Sequence, residues 1–202
     1  MEKSGKQIIC ILFTLLALHF AEKSSAWAAN VTAIGDPVKS ETGSTIVTGF
    51  DLPIPVSEGE KGYLGLSGTG NFNVGQIKAQ VVIIEMFSFY CPHCQRSAAQ
   101  INDLYQMIEK RVDLKGKIKI IGIGVKNSAY EVNGYKERYQ VPFPLFPDKD
   151  MAITEKVGVK GTPTFIGVKV DGKGNQKQFY FSEGGFQDNQ KFLEEISRLS
   201  GL

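Results

Sequence analysis

The apolar positions along the chain change period from segment to segment, and each change predicts an element. Ile8 to Ala21 is apolar except for Thr14 and His19. Asn30 to about Lys61 is rich in Gly, Pro, Ser and Thr, has little periodicity, and predicts at most a short strand near Ile46-Val47. Phe72 and Val74 alternate with Asn71 and Asn73, the pattern of a short strand. Val81 to Phe87, VVIIEMF, is a continuous apolar run broken by one acid, and its β-branched residues mark a central strand buried on both faces. Ile101, Leu104, Tyr105, Ile108 and Val112 recur at helical spacing, which predicts a helix from Cys91 to about Arg111 with Pro92 in its first turn.

Beyond that helix, Lys119 to Val125 reads as a second buried strand and Asn127 to Tyr139 as a helix despite Gly134. A short strand over Phe143 to Phe146 and a short helix over Asp150 to Val157, stopped by Gly158, follow. Thr164 to Val170 and Gln178 to Phe181 flank DGKGN, the strongest hairpin signal in the chain. Gly184-Gly185 predicts a turn, and Phe192, Leu193, Ile196 and Leu199 a closing amphipathic helix. The order is a parallel-type βαβ unit followed by a hairpin and a helix.

Composition narrows the class. The 202 residues are 42% hydrophobic and 22% charged with a formal net charge of +2, values of an ordinary globular domain. No run of like charges suggests nucleic acid or an anionic membrane as partner. Lys3 and Lys6 ahead of the first apolar run, with Ala26-Trp27-Ala28 after it, have the form of a secretory signal peptide over residues 1–28. The run's 14 residues fall short of the roughly 20 that span a bilayer. Cleavage after Ala28 is expected, with an uncleaved anchor as the other form, and either places the domain outside the cytoplasm. Cys10 lies inside the apolar run and not at the cleavage site, which argues against lipid modification. Removing Glu2, Lys3, Lys6, Glu22 and Lys23 with this segment leaves a net charge near +1, two cysteines, one histidine and no tryptophan.

Those two cysteines and the histidine sit together in FSFYCPHC. Three residues are too few for a structural zinc site or an iron–sulfur cluster, and covalent haem attachment needs Cys-x-x-Cys-His where Gln95 follows Cys94. A structural disulfide between Cys91 and Cys94 would close a loop too short to restrict the unfolded chain much. A redox-active dithiol remains the leading reading, with no metal and no cofactor. A thiol at a helix N-terminus meets unpaired N–H groups and the positive end of the helix dipole, so Cys91 reads as the attacking sulfur. Cys94, one turn inside, reads as the resolving sulfur, and His93 as a donor near the thiolate.

The strand, FSFYCPHC, the long helix and GTPTF before a hairpin together resemble the thioredoxin fold. The quartet resembles the DsbA-type motif, and the frame from about Gly70 to Leu199 resembles the TlpA/ResA branch of exported thioredoxin-like proteins. The resemblance implies an α/β fold with a central mixed sheet flanked by helices, spanning residues 71–202 behind an extended lead-in over 29–70. It implies a cis peptide bond at Pro163, facing the active sulfur and pairing with substrate backbone. Glu85, six residues before Cys91, matches the family's buried acid that moves the proton of the resolving cysteine. A carboxyl buried there is expected to have a raised pKa. Tyr90, Pro92, Thr162, Pro163 and Gly185 fall on the implied contact surface. Tyr90 stands where thioredoxins usually carry Trp. The 68 residues between Cys94 and Pro163 leave no room for the helical insertion of the DsbA-type fold. A peroxiredoxin would carry Thr three residues before the cysteine and Pro four before that, where Ser88 and Ile84 stand, so peroxide reduction is not expected.

The implied activity is thiol:disulfide exchange with protein thiols or disulfides, served by an upstream redox partner in the membrane, by a monomer. Direction divides the signals. Pro92-His93 between the cysteines favours the thiolate, hence a more oxidising disulfide. The TlpA/ResA-like frame covers more of the chain and implies reduction of particular substrates, such as apocytochrome thiols. The reading leans to that reductase role, with a DsbA-like oxidase and a non-catalytic binding or redox-sensor module as alternatives.

Overall fold

A computed structural model describes residues 49–202. The expected signal peptide and the strand near Ile46-Val47 lie outside the described residues. Elements run in the order β1 (Leu52–Pro53), α1 (Glu58–Leu64), β2 (Asn71–Phe72), β3 (Val81–Phe87), α2 (Pro92–Lys110), β4 (Ile118–Val125), α3 (Ala129–Tyr139), β5 (Leu145–Asp148), α4 (Ala152–Lys156), β6 (Thr164–Val170), β7 (Gln176–Glu183) and α5 (Asn189–Ser200). A five-stranded mixed sheet has the order β5-β4-β3-β6-β7, and β1 pairs with β2 as a separate two-stranded ribbon. β3 runs parallel to β4 and antiparallel to β6, so the strand that leads into the cysteines lies at the sheet's centre.

The continuous apolar run of β3 has the predicted cause: all seven of its residues are buried. Val81, Ile83 and Phe87 point to one face, where α2, α3 and α5 pack through Ile101, Leu104, Tyr135, Phe192 and Leu193. Val82, Ile84 and Met86 point to the other. Burying each large side chain contributes roughly 1.5–3 kcal/mol, so both faces are needed for stability. Glu85 shares the parity of Ile83 and Phe87 and therefore looks toward α2.

The lead-in expected to be extended contributes Phe50, Leu52 and Leu64 to the core in its described part. Phe50, Leu52, Leu64, Phe72, Val74 and Ile77 are buried and build the second core with Ile166 and Val168 of β6. The weakly periodic segment also holds α1, begun by Ser57, whose hydroxyl accepts the Glu60 N–H, and ended by Gly65 at φ 69°. A Cβ on Gly65 would lie 2.6 Å from the Lys78 side chain, so this turn needs glycine on both counts. Tyr63 accepts the Ile120 N–H at 2.8 Å, and Glu60 pairs with Lys136 at 2.6 Å, tying α1 to β4 and α3. Farther along, Asn71 and Phe72 keep strand pairing; Val74 begins a 3-10 turn capped by Asn73.

Candidate functional site

α2 begins where the sequence places it. Cys91 is the N-cap, with extended backbone and its sulfur accepting the Cys94 N–H at 3.2 Å. Pro92 occupies the first turn, where its missing N–H removes nothing. The link from β3 is pinned by three bonds, one of them long-range. The Phe89 N–H donates to Asn127 Oδ1 at 2.7 Å, Gln95 Nε2 donates to the Phe89 carbonyl at 2.8 Å, and the Cys91 N–H donates to the Ser88 carbonyl at 3.0 Å. Both cysteines are free thiols.

The Thr162–Pro163 peptide bond is cis, and the Cys91 thiol donates to the Thr162 carbonyl at 3.3 Å. The Pro163 carbonyl accepts the Gly184 N–H at 2.8 Å, and the Thr164 hydroxyl donates to the Gly161 carbonyl at 2.7 Å. The strand-entry loop is thereby held against the sulfur. Pro163 is itself buried, and Thr162 is the half-exposed residue of the pair.

The two sulfurs differ. Burial acts to raise the Cys91 pKa, but hydrogen bonds from Cys94, from the Thr162 side chain and from the backbone N–H groups of Cys94 and His93 carry it below the ordinary thiol value. Cys94 is buried beneath, and desolvation, followed by its bond to Cys91, pushes its thiol up. The arrangement thus separates a nucleophile at the surface from a thiol that needs a base.

Glu85 is only 2% exposed, and its Oε1 has no hydrogen-bond partner among the described residues. Desolvation, with a smaller contribution from the charge of Cys91, raises its pKa to about 8. Tyr135 joins this group. Its hydroxyl donates to the Cys94 carbonyl at 2.9 Å, and burial and then the charge of Glu85 raise its own pKa. Nothing in the sequence marks Tyr135 beyond a helical apolar spacing. Asn127, fully buried, is similarly visible only once Phe89 is seen to need an acceptor.

The remaining predicted residues are placed differently from one another. Tyr90 is 66% exposed, and its hydroxyl donates to Glu131, which also accepts from the Ser128 N–H and hydroxyl. The Tyr90 bond is the first of the contacts that draw the Glu131 carboxyl down to about 2. Pro92 is exposed beside the sulfur. The His93 ring is paired with Arg96, which donates to its Nδ1 at 3.0 Å, and position 93 reaches the sulfur through its backbone N–H. Gly185 is exposed, while its neighbour Gly184 makes the bond to Pro163. Among the described residues no group of three or more His, Cys, Asp or Glu side chains could hold a metal ion. Among them, too, no helix is long and apolar enough to cross a membrane.

A central mixed sheet flanked by helices, with a Cys-x-x-Cys starting a helix against a cis-proline loop, defines a thioredoxin-like fold. The model of the AhpC/TSA family matches residues 57–183, and the chain belongs to that family. The thiol-disulfide oxidoreductase ResA of Halalkalibacterium halodurans is 22% identical over 98 residues, 48% of this chain and 53% of that protein. ResA of Geobacillus thermodenitrificans is 24% identical over 115 residues, 57% of this chain and 62% of its own. The match therefore spans a little over half the length of these curated relatives. Among solved structures, a secreted Mycobacterium tuberculosis disulfide oxidoreductase homologous to E. coli DsbE superposes with a TM-score of 0.51 at 12% identity, over 64% of this chain and 90% of that one. At that identity the likeness is one of fold.

Proposed function

We propose that the protein is an extracytoplasmic thiol:disulfide oxidoreductase that exchanges disulfides with protein substrates through Cys91 and Cys94. The observation that carries this is the opposed pair of sulfurs. Cys91 has a lowered pKa at a helix start against the Thr162 carbonyl; Cys94 is buried with a raised one. In the reductive direction, the Cys91 thiolate attacks a substrate disulfide, one substrate sulfur leaves as a thiolate, and a mixed disulfide forms. Cys94 then gives its proton to the Glu85 carboxylate and attacks Cys91 Sγ. The substrate departs as a dithiol, and the protein holds the disulfide, two electrons poorer, until a redox partner reduces it.

Glu85 suits the second step. A carboxylate with a pKa of about 8 is a stronger base than an ordinary glutamate, although only about a tenth is ionised at pH 7. Once Cys91 enters the mixed disulfide its negative charge is gone, so Glu85 ionises more readily when a base is required.

The match to ResA proteins, named as thiol-disulfide oxidoreductases, supports disulfide exchange in general, and the lean to a reductase role rests on the TlpA/ResA-like frame of the sequence. One observation favours the opposite direction. A lowered Cys91 pKa stabilises the reduced protein and makes its disulfide more oxidising, as a DsbA-like oxidase requires. The extracytoplasmic setting rests on the N-terminal segment of the sequence alone.

Expressing Cys94→Ala in cells tests the reading, because the mixed disulfide then cannot resolve and the bound substrate can be identified. Cys91→Ser abolishes both the trapping and insulin reduction. A purified protein that exchanges with no dithiol or disulfide refutes the proposal in favour of a non-catalytic binding module. The reduction potential against glutathione assigns the direction.

A further inference from the structure

A cavity of about 380 Å³ opens beside the reactive sulfur, between the end of β4, the start of α4 and the loop before the cis-proline. Two of its walls are tied directly to Cys91. Thr162 accepts from the Cys91 thiol and Ser88 accepts from the Cys91 N–H, and both line the cavity. Lys126 and Lys160 line it as well, both exposed. Among the described residues neither lysine lies within ion-pair distance of a carboxylate. Asp148, whose backbone carbonyl lies beside this wall, is buried and spends its carboxylate on the Ile153 and Thr154 N–H groups and the Thr154 hydroxyl. Glu183 accepts the backbone N–H of Lys160 at 3.3 Å.

The backbone carries a second, independent signal. Three residues other than glycine have positive φ among those described: Lys126 at 56°, Gln140 at 52° and Met151 at 60°. Gln140 is the C-cap of α3, where that conformation is ordinary. Lys126 and Met151 both line this cavity, and both donate their N–H to the Asp148 carbonyl, at 3.0 and 3.2 Å. Side chains held at such angles cost of order 1–3 kcal/mol each and gather at binding sites. Here the left-handed turns present a lysine and a pliable thioether to the same space.

We propose that this cavity is the subsite for an acidic residue flanking the reactive cysteine of a polypeptide substrate, its carboxylate held by Lys126 and Lys160. The inference rests on the exchange reaction proposed above and names which substrates that reaction favours. Its volume lies within the range of small ligand sites, and suits one acidic side chain with its water. An acid brought next to a thiolate is repelled unless cations offset it, and the two lysines lie on that side of the sulfur. No new redox step is involved; the acid positions the disulfide for attack by Cys91.

The test uses short peptides with one cysteine, oxidised as symmetrical disulfide dimers, with Glu or Gln at each of the two positions before and after the cysteine. The fully reduced protein is mixed with each dimer, and the peptide thiol released is followed by chromatography. An exposed ion pair is worth a factor of roughly 1.5–5, so at low salt the Glu peptide reacts about three- to tenfold faster than its Gln partner for at least one position. Lys126→Gln and Lys160→Gln each bring that ratio toward one, while Lys173→Gln, in the distant hairpin turn, leaves it in place. Equal rates for Glu and Gln peptides overturn the subsite while leaving exchange intact. So does a ratio that survives both lysine substitutions. If no peptide reacts with the unmodified protein, exchange itself fails and the subsite with it. Glutathione disulfide, which carries carboxylates without an extended chain, separates the sources. An equally lysine-dependent rate with it overturns the polypeptide assignment.

Discussion

Replacing Glu85 with Gln tests the centre of the site on two axes. Glu85 is fully buried, and its pKa rises from 4.5 to about 8. The raised value means the folded state holds the proton more tightly than the unfolded chain. Its contribution is therefore fully present below pH 4.5 and is lost as pH rises toward about 8. Across that window the unfolded state ionises while the folded state does not, and stability falls by up to about 1.4 kcal/mol per pH unit. The whole loss is on the order of 5 kcal/mol. Gln keeps the shape and never ionises. Urea denaturation of the reduced protein, followed by circular dichroism between pH 5 and 9, should show the two curves diverging as pH rises, Gln becoming the more stable. Near pH 9 its thermal midpoint should exceed that of the unmodified protein by about 10 °C or more. The same substitution removes the base for Cys94. Release of a mixed disulfide, measured by rapid quench, should slow by about a hundredfold at pH 7 to 8, the lower end of the usual effect of a positioned base. Parallel stability curves would refute the reasoning, since they would mean that Glu85 titrates as a solvated carboxylate. An unchanged release rate would remove its proton-transfer role alone.

Four further outcomes follow, three of them from the packing around the sulfurs. Iodoacetamide at pH 7 should modify Cys91 well ahead of Cys94, with a pH midpoint below the ordinary thiol value, as peptide mapping would show. Tyr135→Phe deletes the hydroxyl that reaches the Cys94 carbonyl and should cost about 1 kcal/mol, read as a lower urea midpoint at an unchanged slope. Asn127→Ala strands the Phe89 N–H and should cost about 1–3 kcal/mol in the same measurement, with faster hydrogen exchange at Phe89. Gly75→Ala would put a Cβ 2.1 Å from the Gly174 carbonyl oxygen, a backbone atom that cannot swing aside, and should cost about 2 kcal/mol or more in thermal unfolding.

The parts of the fold legible in the sequence are those where local pattern and tertiary demand agree. VVIIEMF is apolar at every position but one because both faces of β3 are covered, and DGKGN turns where Asp171 Oδ1 accepts from the Lys173 and Asn175 N–H groups. The start of α2 is legible because the capping sulfur and Pro92 both belong to helix-start chemistry. What escaped sequence reading depends on partners far along the chain. α1 is seven residues with two glycines, too short to show a period, and its Leu64 and Tyr63 acquire meaning only against the sheet. The same holds for Tyr135 and Asn127, whose partners lie 41 and 38 residues away. His93 shows the limit of motif reading: the motif supplies the residue type, but the i+3 neighbour Arg96 takes the ring.

The buried lead-in sets an order on the making of the molecule. Phe50, Leu52, Leu64 and Phe72 leave the ribosome well before their partners Ile166 and Val168, which belong to β6. Until β6 is synthesised, these four side chains have only part of their final surroundings. They remain sticky through most of translation, which exposes them to chaperones and to wrong partners. The contact between Gly75 and the turn before β7 closes later still, since Gly174 follows β6 in the chain. Residues made early are thus sheltered late, and the second core closes only after the strands of the carboxy-terminal half have been made.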